Sequence, residues 1–113
     1  MESHPNRPHD EVEMLFHSRY GYVLRCRHCL LYHLAFGNIA IDQSKQDLID
    51  LTFLIERYHH QYQQSNKESC RCIFIETPFN GFRLVFSLKE LALFNEMLQK
   101  TYLIIQAEDI INN

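Results

Sequence analysis

Leu84 to Leu91 reads LVFSLKEL, and the character of the chain changes at its serine. Ser87-Leu88-Lys89-Glu90 is a capping box: a serine hydroxyl placed to accept from the amide three residues on, and a glutamate placed to reach back to the serine's own amide. A helix therefore starts at Leu88. Leu91, Phe94, Leu98 and Tyr102 recur on one face of it, which carries it to about Tyr102. Upstream, Cys70 to Thr77 and Phe82 to Phe86 flank the turn residues Pro78-Phe79-Asn80-Gly81 and predict a hairpin that runs into this helix.

The same grammar occurs earlier. Placing Ser44 on Ser87 aligns S-K-Q-D-L with S-L-K-E-L. Ser44 opens a helix with Asp47 at the third helical position, where a carboxylate suits the free amides and the dipole. Leu48, Leu51, Ile55, Tyr58 and Tyr62 give it an apolar face as far as about Gln63. Ahead of it, Leu30 to Phe36 is too continuously apolar for an alternating strand and predicts a central one. Gly37-Asn38 then turns the chain into Ile39 to Ile41. Glu13 to Ser18 and Tyr22 to Cys26 form a further hairpin around Arg19-Tyr20-Gly21, with Gly21 expected at positive φ. The expected fold is α+β: two hairpin-plus-helix (ββα) units sharing one antiparallel sheet, with both helices on one face. Leu103 to Ile111, which carries four isoleucines, either extends the second helix or adds a strand.

At 113 residues, with 46% apolar and 12% aromatic side chains and no Gly/Ser-rich or Pro-rich tract, residues 11–113 are expected to be a single domain. Residues 1–10, MESHPNRPHD, are polar and hold two of the three prolines; a flexible segment is expected there, and no secretory leader. No apolar run reaches the ~18 residues of a membrane span, so a cytoplasmic protein is expected. In a reducing compartment its four cysteines would be thiols or metal ligands rather than disulfides.

Cys26-x-x-Cys29 lies in RCRHCLLYHLAFGN, Arg25 to Asn38. A tight turn between strands aims both sulfurs at one ion and supplies two of the four ligands that zinc needs. Cys70 and Cys72 are the candidates for the other two, because alternate strand residues face the same way; His9, His17 and His33 are further candidates. The alternative is that the four cysteines are packed thiols. A thioredoxin-type redox pair is disfavoured, since such a pair opens a helix and a strand follows this one.

No acidic residue lies between Glu13 and Asp42, whereas Arg19, Arg25 and Arg27 do, interleaved with Tyr20, Tyr22 and Tyr32. Guanidiniums on phosphates with tyrosine rings on unpaired bases would suit single-stranded nucleic acid, although the net charge of −3 shows no general affinity for polyanions. There is no Gly-rich phosphate loop, no H-E-x-x-H and no G-x-S-x-G. Cys29 and His33, the one local nucleophile and base, would stand some 13 Å apart along a strand, so no enzyme is expected.

Cys26-x-x-Cys29 followed by Leu34-Ala35-Phe36-Gly37-Asn38, together with Leu84-Val85-Phe86-Ser87-x-x-Glu90-Leu91, resembles a family of short bacterial proteins of unknown function. Between Gly21 and Leu98 that resemblance covers most of the chain. It implies a Cys or His ligand near the amino terminus, a place that His4 or His9 would take, and it carries no activity. The expected function is a small non-enzymatic adaptor or regulatory module, zinc-stabilised through Cys26, Cys29, Cys70 and Cys72, with a homodimer formed through Leu103 to Ile111. The alternative is single-stranded nucleic-acid binding by the first hairpin.

Overall fold

The structure is a computed structural model and describes residues 11–78 and 80–112; the segment expected to be flexible, residues 1–10, lies outside the described residues. The chain is α+β. Four strands, β1 (Val12–Ser18), β2 (Gly21–Cys26), β3 (Tyr32–Phe36) and β4 (Ile39–Gln43), lead into helix α1 (Lys45–Tyr62); a hairpin of β5 (Ile73–Glu76) and β6 (Arg83–Phe86) leads into helix α2 (Leu88–Ile111).

β1 to β4 form an antiparallel meander in sequence order, with β3 interior as its apolar run predicts, whereas β5 and β6 pair only with each other. The expected single sheet is therefore two sheets. What joins them is packing: Phe36 of β3, Phe86 of β6 and Phe94 of α2 meet with ring centroids 4.8 to 5.9 Å apart, in tilted and edge-on contacts. This trio belongs to one buried cluster that takes Val23 and Leu34 from the meander, Ile73, Ile75 and Leu84 from the hairpin, Leu48 and Ile55 from α1, and Leu91, Met97, Leu98 and Ile105 from α2.

Both caps form as expected. Ser44 Oγ accepts from the Asp47 amide at 3.1 Å; Ser87 Oγ accepts from the Glu90 amide at 3.1 Å, and Glu90 Oε1 from the Ser87 amide at 2.9 Å. α2 runs nine residues beyond Tyr102, so the tail is helical. Within it Ile105 is buried, and Thr101, also buried, is satisfied by donating its hydroxyl to the Met97 carbonyl at 2.9 Å. Gly21 corrects an expectation: positive φ occurs at Gly37 and Gly81 but not at Gly21. Glycine is needed at this position for space, since a Cβ there would collide with the carbonyl oxygen of Ala35 on the neighbouring strand.

Candidate functional site

β2 ends at Cys26 and β3 begins at Tyr32, and the turn between them brings the two cysteines of the C-x-x-C together. The Cys29 amide donates to Cys26 Sγ at 3.1 Å, the Cys26 amide donates to the Leu31 carbonyl at 2.9 Å, and the Leu30 amide donates to the Cys26 carbonyl at 3.2 Å. To close this turn Leu30 takes φ 60°, the single positive φ outside glycine among the described residues, while its side chain stands 69% exposed. A branched side chain held in that region without burial is strained backbone at a candidate site. Cys26 is buried and Cys29 exposed, both as free thiols. The neighbouring Cys29 thiol, with the Cys29, His28 and Leu30 amides, draws the Cys26 thiol below its ordinary pKa, and the same pairing raises that of Cys29.

The other two cysteines are not part of that turn. Cys70 and Cys72 are bonded to each other as a disulfide ahead of β5. Arg71, between them, holds Glu90 in the first turn of α2 with its guanidinium at 2.6 and 2.9 Å; Arg25, beside Cys26, holds Glu108 near the other end of that helix. Eighteen helical steps separate the two glutamates, about 27 Å of axis. One ion does not span that distance, so the structure does not bring the four cysteines together, and no cluster of three or more His, Cys, Asp or Glu placed to hold a metal occurs among the described residues. His17 is exposed on β1, His33 pairs with Asp42 at 2.8 Å, and His9 lies outside the described residues.

The five residues of the nucleic-acid reading scatter likewise. Arg25 lies on the helix side of the sheet: its guanidinium donates to Glu108 at 2.6 and 2.7 Å, to Glu13 at 2.8 Å and to the Tyr32 hydroxyl at 3.3 Å. The bonds to Glu108 raise its pKa and hold the Glu108 carboxyl below the usual carboxylate range. Arg25 is also the only Lys or Arg in the four strands of the meander. Arg27 lies 3.6 Å from Glu13, and Arg19 sits over the Tyr20 ring in the first hairpin turn at 5.6 Å. Tyr22 is on the opposite, open face, where β2 pairs it with His17 and Ala35.

Sequence reasoning missed a cleft of about 780 Å³ between the two sheets. Residues 37–40, from the β3–β4 turn into β4, line one side, residues 82–86 line the other, and Phe36 and Phe86 from the aromatic trio lie between; the Arg71–Glu90 pair stands at its rim. β4 ends the meander and β6 is one of only two strands in its sheet, so each presents an edge without a strand partner among the described residues. No periodicity within one segment could have disclosed this, because the cleft exists only where two segments fail to pair.

A four-stranded meander leading into one capped helix, and a separate hairpin leading into another, make a small α+β domain. Residues 9–112 match a family of unknown function, DUF6686, and the chain belongs to that family. No curated protein matches it and no solved structure does. No helix among the described residues is long and apolar enough to cross a membrane.

Proposed function

We propose that the protein is a small non-enzymatic binding module that takes an extended segment of a partner protein into the cleft between β4 and β6. The observation that carries this reading is one cleft lined by the start of β4, Ile39 and Ala40, and by β6, both of them edge strands among the described residues. A backbone laid between them would find donors and acceptors on both sides, the β-augmentation mode of peptide capture. The added strand would turn two sheets into one, β1-β2-β3-β4-peptide-β6-β5. Phe36 and Phe86 favour apolar side chains directed inward, while Arg71, Glu90 and Arg83 would receive polar groups at the rim. A peptide is preferred to a single-stranded nucleic acid because the meander's one arginine is committed to Glu108 and Glu13, leaving its strands without a cation for phosphate.

The test is selection from a displayed library of random twelve-residue peptides, followed by amide hydrogen exchange of the complex. Binding that slows exchange across residues 39–43 and 83–86 supports the reading. Failure to select any peptide, or protection confined to other strands, refutes it. A salt-sensitive mobility shift with single-stranded oligonucleotides would establish the alternative in its place.

A further inference from the structure

We propose that the Cys26–Cys29 turn is half of a thiolate site for zinc or a cation of its class, completed by the same two cysteines of a second copy of the chain. Three observations converge on it. The turn has the construction of a metal knuckle: two free cysteines three residues apart, the Cys26 sulfur already accepting the Cys29 N–H, and a residue in the left-handed region immediately after the second cysteine. That residue is Leu30 rather than glycine, so the geometry is kept at a cost in backbone strain, which a packed thiol would not require. The site is also incomplete within the described residues: a structural zinc takes four ligands, this turn offers two, and the disulfide at Cys70–Cys72 leaves those sulfurs unavailable at the far end of α2.

The surroundings favour a second copy as the source of the missing pair. Leu30 lines a cleft with Arg25, Glu108 and Asn112, placing the turn beside the end of α2. Ile110 and Ile111, the residues before Asn112, are 77% and 79% exposed. With Leu30, and with Leu31 beside it, they make an exposed apolar collar at the end of the molecule that carries the turn, of the kind an interface covers. A two-fold axis beside Cys29, the exposed member of the pair, makes two such turns into one tetrahedral set of four sulfurs and lays the two collars against each other. Four thiols release four protons to solvent as four metal–sulfur bonds form, with no change of oxidation state.

The experiment uses the full chain with cobalt(II) as a spectroscopic probe and zinc for mass measurements by analytical ultracentrifugation. One ion per two chains, a thiolate-to-metal charge-transfer band typical of four sulfurs, and a doubling of mass that a chelator reverses are expected. The Cys70→Ser, Cys72→Ser double variant should behave identically. Cys29→Ser, an exposed change that leaves the buried Cys26 in place, should stay monomeric and bind no ion, and Cys29→His should restore both. One ion per chain on a monomer, lost on His9→Ala or His4→Ala, would overturn the second copy by completing the site within the chain. No ion bound at all, or a dimer indifferent to metal and to Cys29→Ser, would overturn the site itself.

Discussion

Arg25→Met removes the guanidinium that ties β2 to the last turns of α2, and its cost can be worked from the contacts. Three hydrogen bonds to carboxylates are lost, two to Glu108 and one to Glu13, together with the longer one to the Tyr32 hydroxyl. A charge-assisted bond contributes ~1.5–3 kcal/mol when desolvated, but Glu13 and Glu108 are each about one-third exposed, which reduces each bond to about 1 kcal/mol. The methionine keeps apolar contact with the Tyr32 ring, and the freed carboxylates rehydrate, so the net loss is about 2 kcal/mol. For a domain of this size that is a fall of about 8 °C in the thermal midpoint, read by circular dichroism at neutral pH. Arg25→Lys should recover less than half of it, because an ammonium keeps the charge but not the fork. The pH dependence has a definite sign. Glu108 has a depressed pKa in the fold, so its contribution is fully present above the ordinary carboxylate pKa and disappears as pH falls through the depressed value; Arg25 stays charged throughout. The gap between wild type and Arg25→Met should therefore close in acid. An unchanged midpoint at neutral pH, or a gap that is as wide at about pH 2 as at neutrality, would refute the assignment of Arg25 to the fold.

Ser87→Ala should cost about 1 kcal/mol, read as a lower urea midpoint with an unchanged slope, because it removes the hydroxyl that caps the Glu90 amide. Leu30→Gly should be more stable than Leu30→Ala by about 1 kcal/mol in metal-free protein, since only glycine relieves φ 60°; equal midpoints would show the turn to be unstrained. Gln43→Met should stabilise by about 1 kcal/mol, because Gln43 Nε2 is buried without a hydrogen-bond partner among the described residues, and a loss of stability would reveal a partner. Reducing Cys70–Cys72 should change the unfolding free energy by no more than about 1.5 kcal/mol, since so short a loop constrains the unfolded chain little; a larger effect in chemical denaturation would show that the bond fixes the start of β5.

What could be read from the sequence was what is decided within a few residues. Both caps, the C-x-x-C turn, the interior position of β3 and the pairing of β5 with β6 follow from chemistry local to Ser44, Ser87, Cys26, Leu34 and Gly81, and all of them formed. α2 outran its expected end because no glycine or proline follows Tyr102 and because Ile105, seven residues beyond Leu98 on the same face, is buried against the rest of the core. What the sequence did not disclose concerns partners distant along it. Arg25 resembled a phosphate contact until its strand placed it opposite Glu108, 83 residues on. Cys70 and Cys72 were suitable ligands by type and spacing, but α2 lies between them and the knuckle. The division of the sheet was also hidden: β4 and β6 are each acceptable strands, and nothing in either states that they do not pair.

That division and the knuckle belong to opposite ends of one helix. Glu90, at the start of α2, stands at the rim of the cleft, while Glu108, near its end, anchors the strand that carries Cys26. With about 27 Å of α2 between them, a peptide in the cleft and a metal in the knuckle would not compete for space. A pair of chains joined through their knuckles would hold its two clefts apart, each separated from the junction by the length of α2. Such an arrangement favours a partner that offers two extended segments, because the second segment binds as an intramolecular event once the first is seated. Metal would then strengthen capture without touching the cleft. Single-segment peptides should bind the Cys29→Ser monomer as tightly as the zinc-bound dimer, and only a tandem peptide with a linker long enough to span both clefts should tell the two apart.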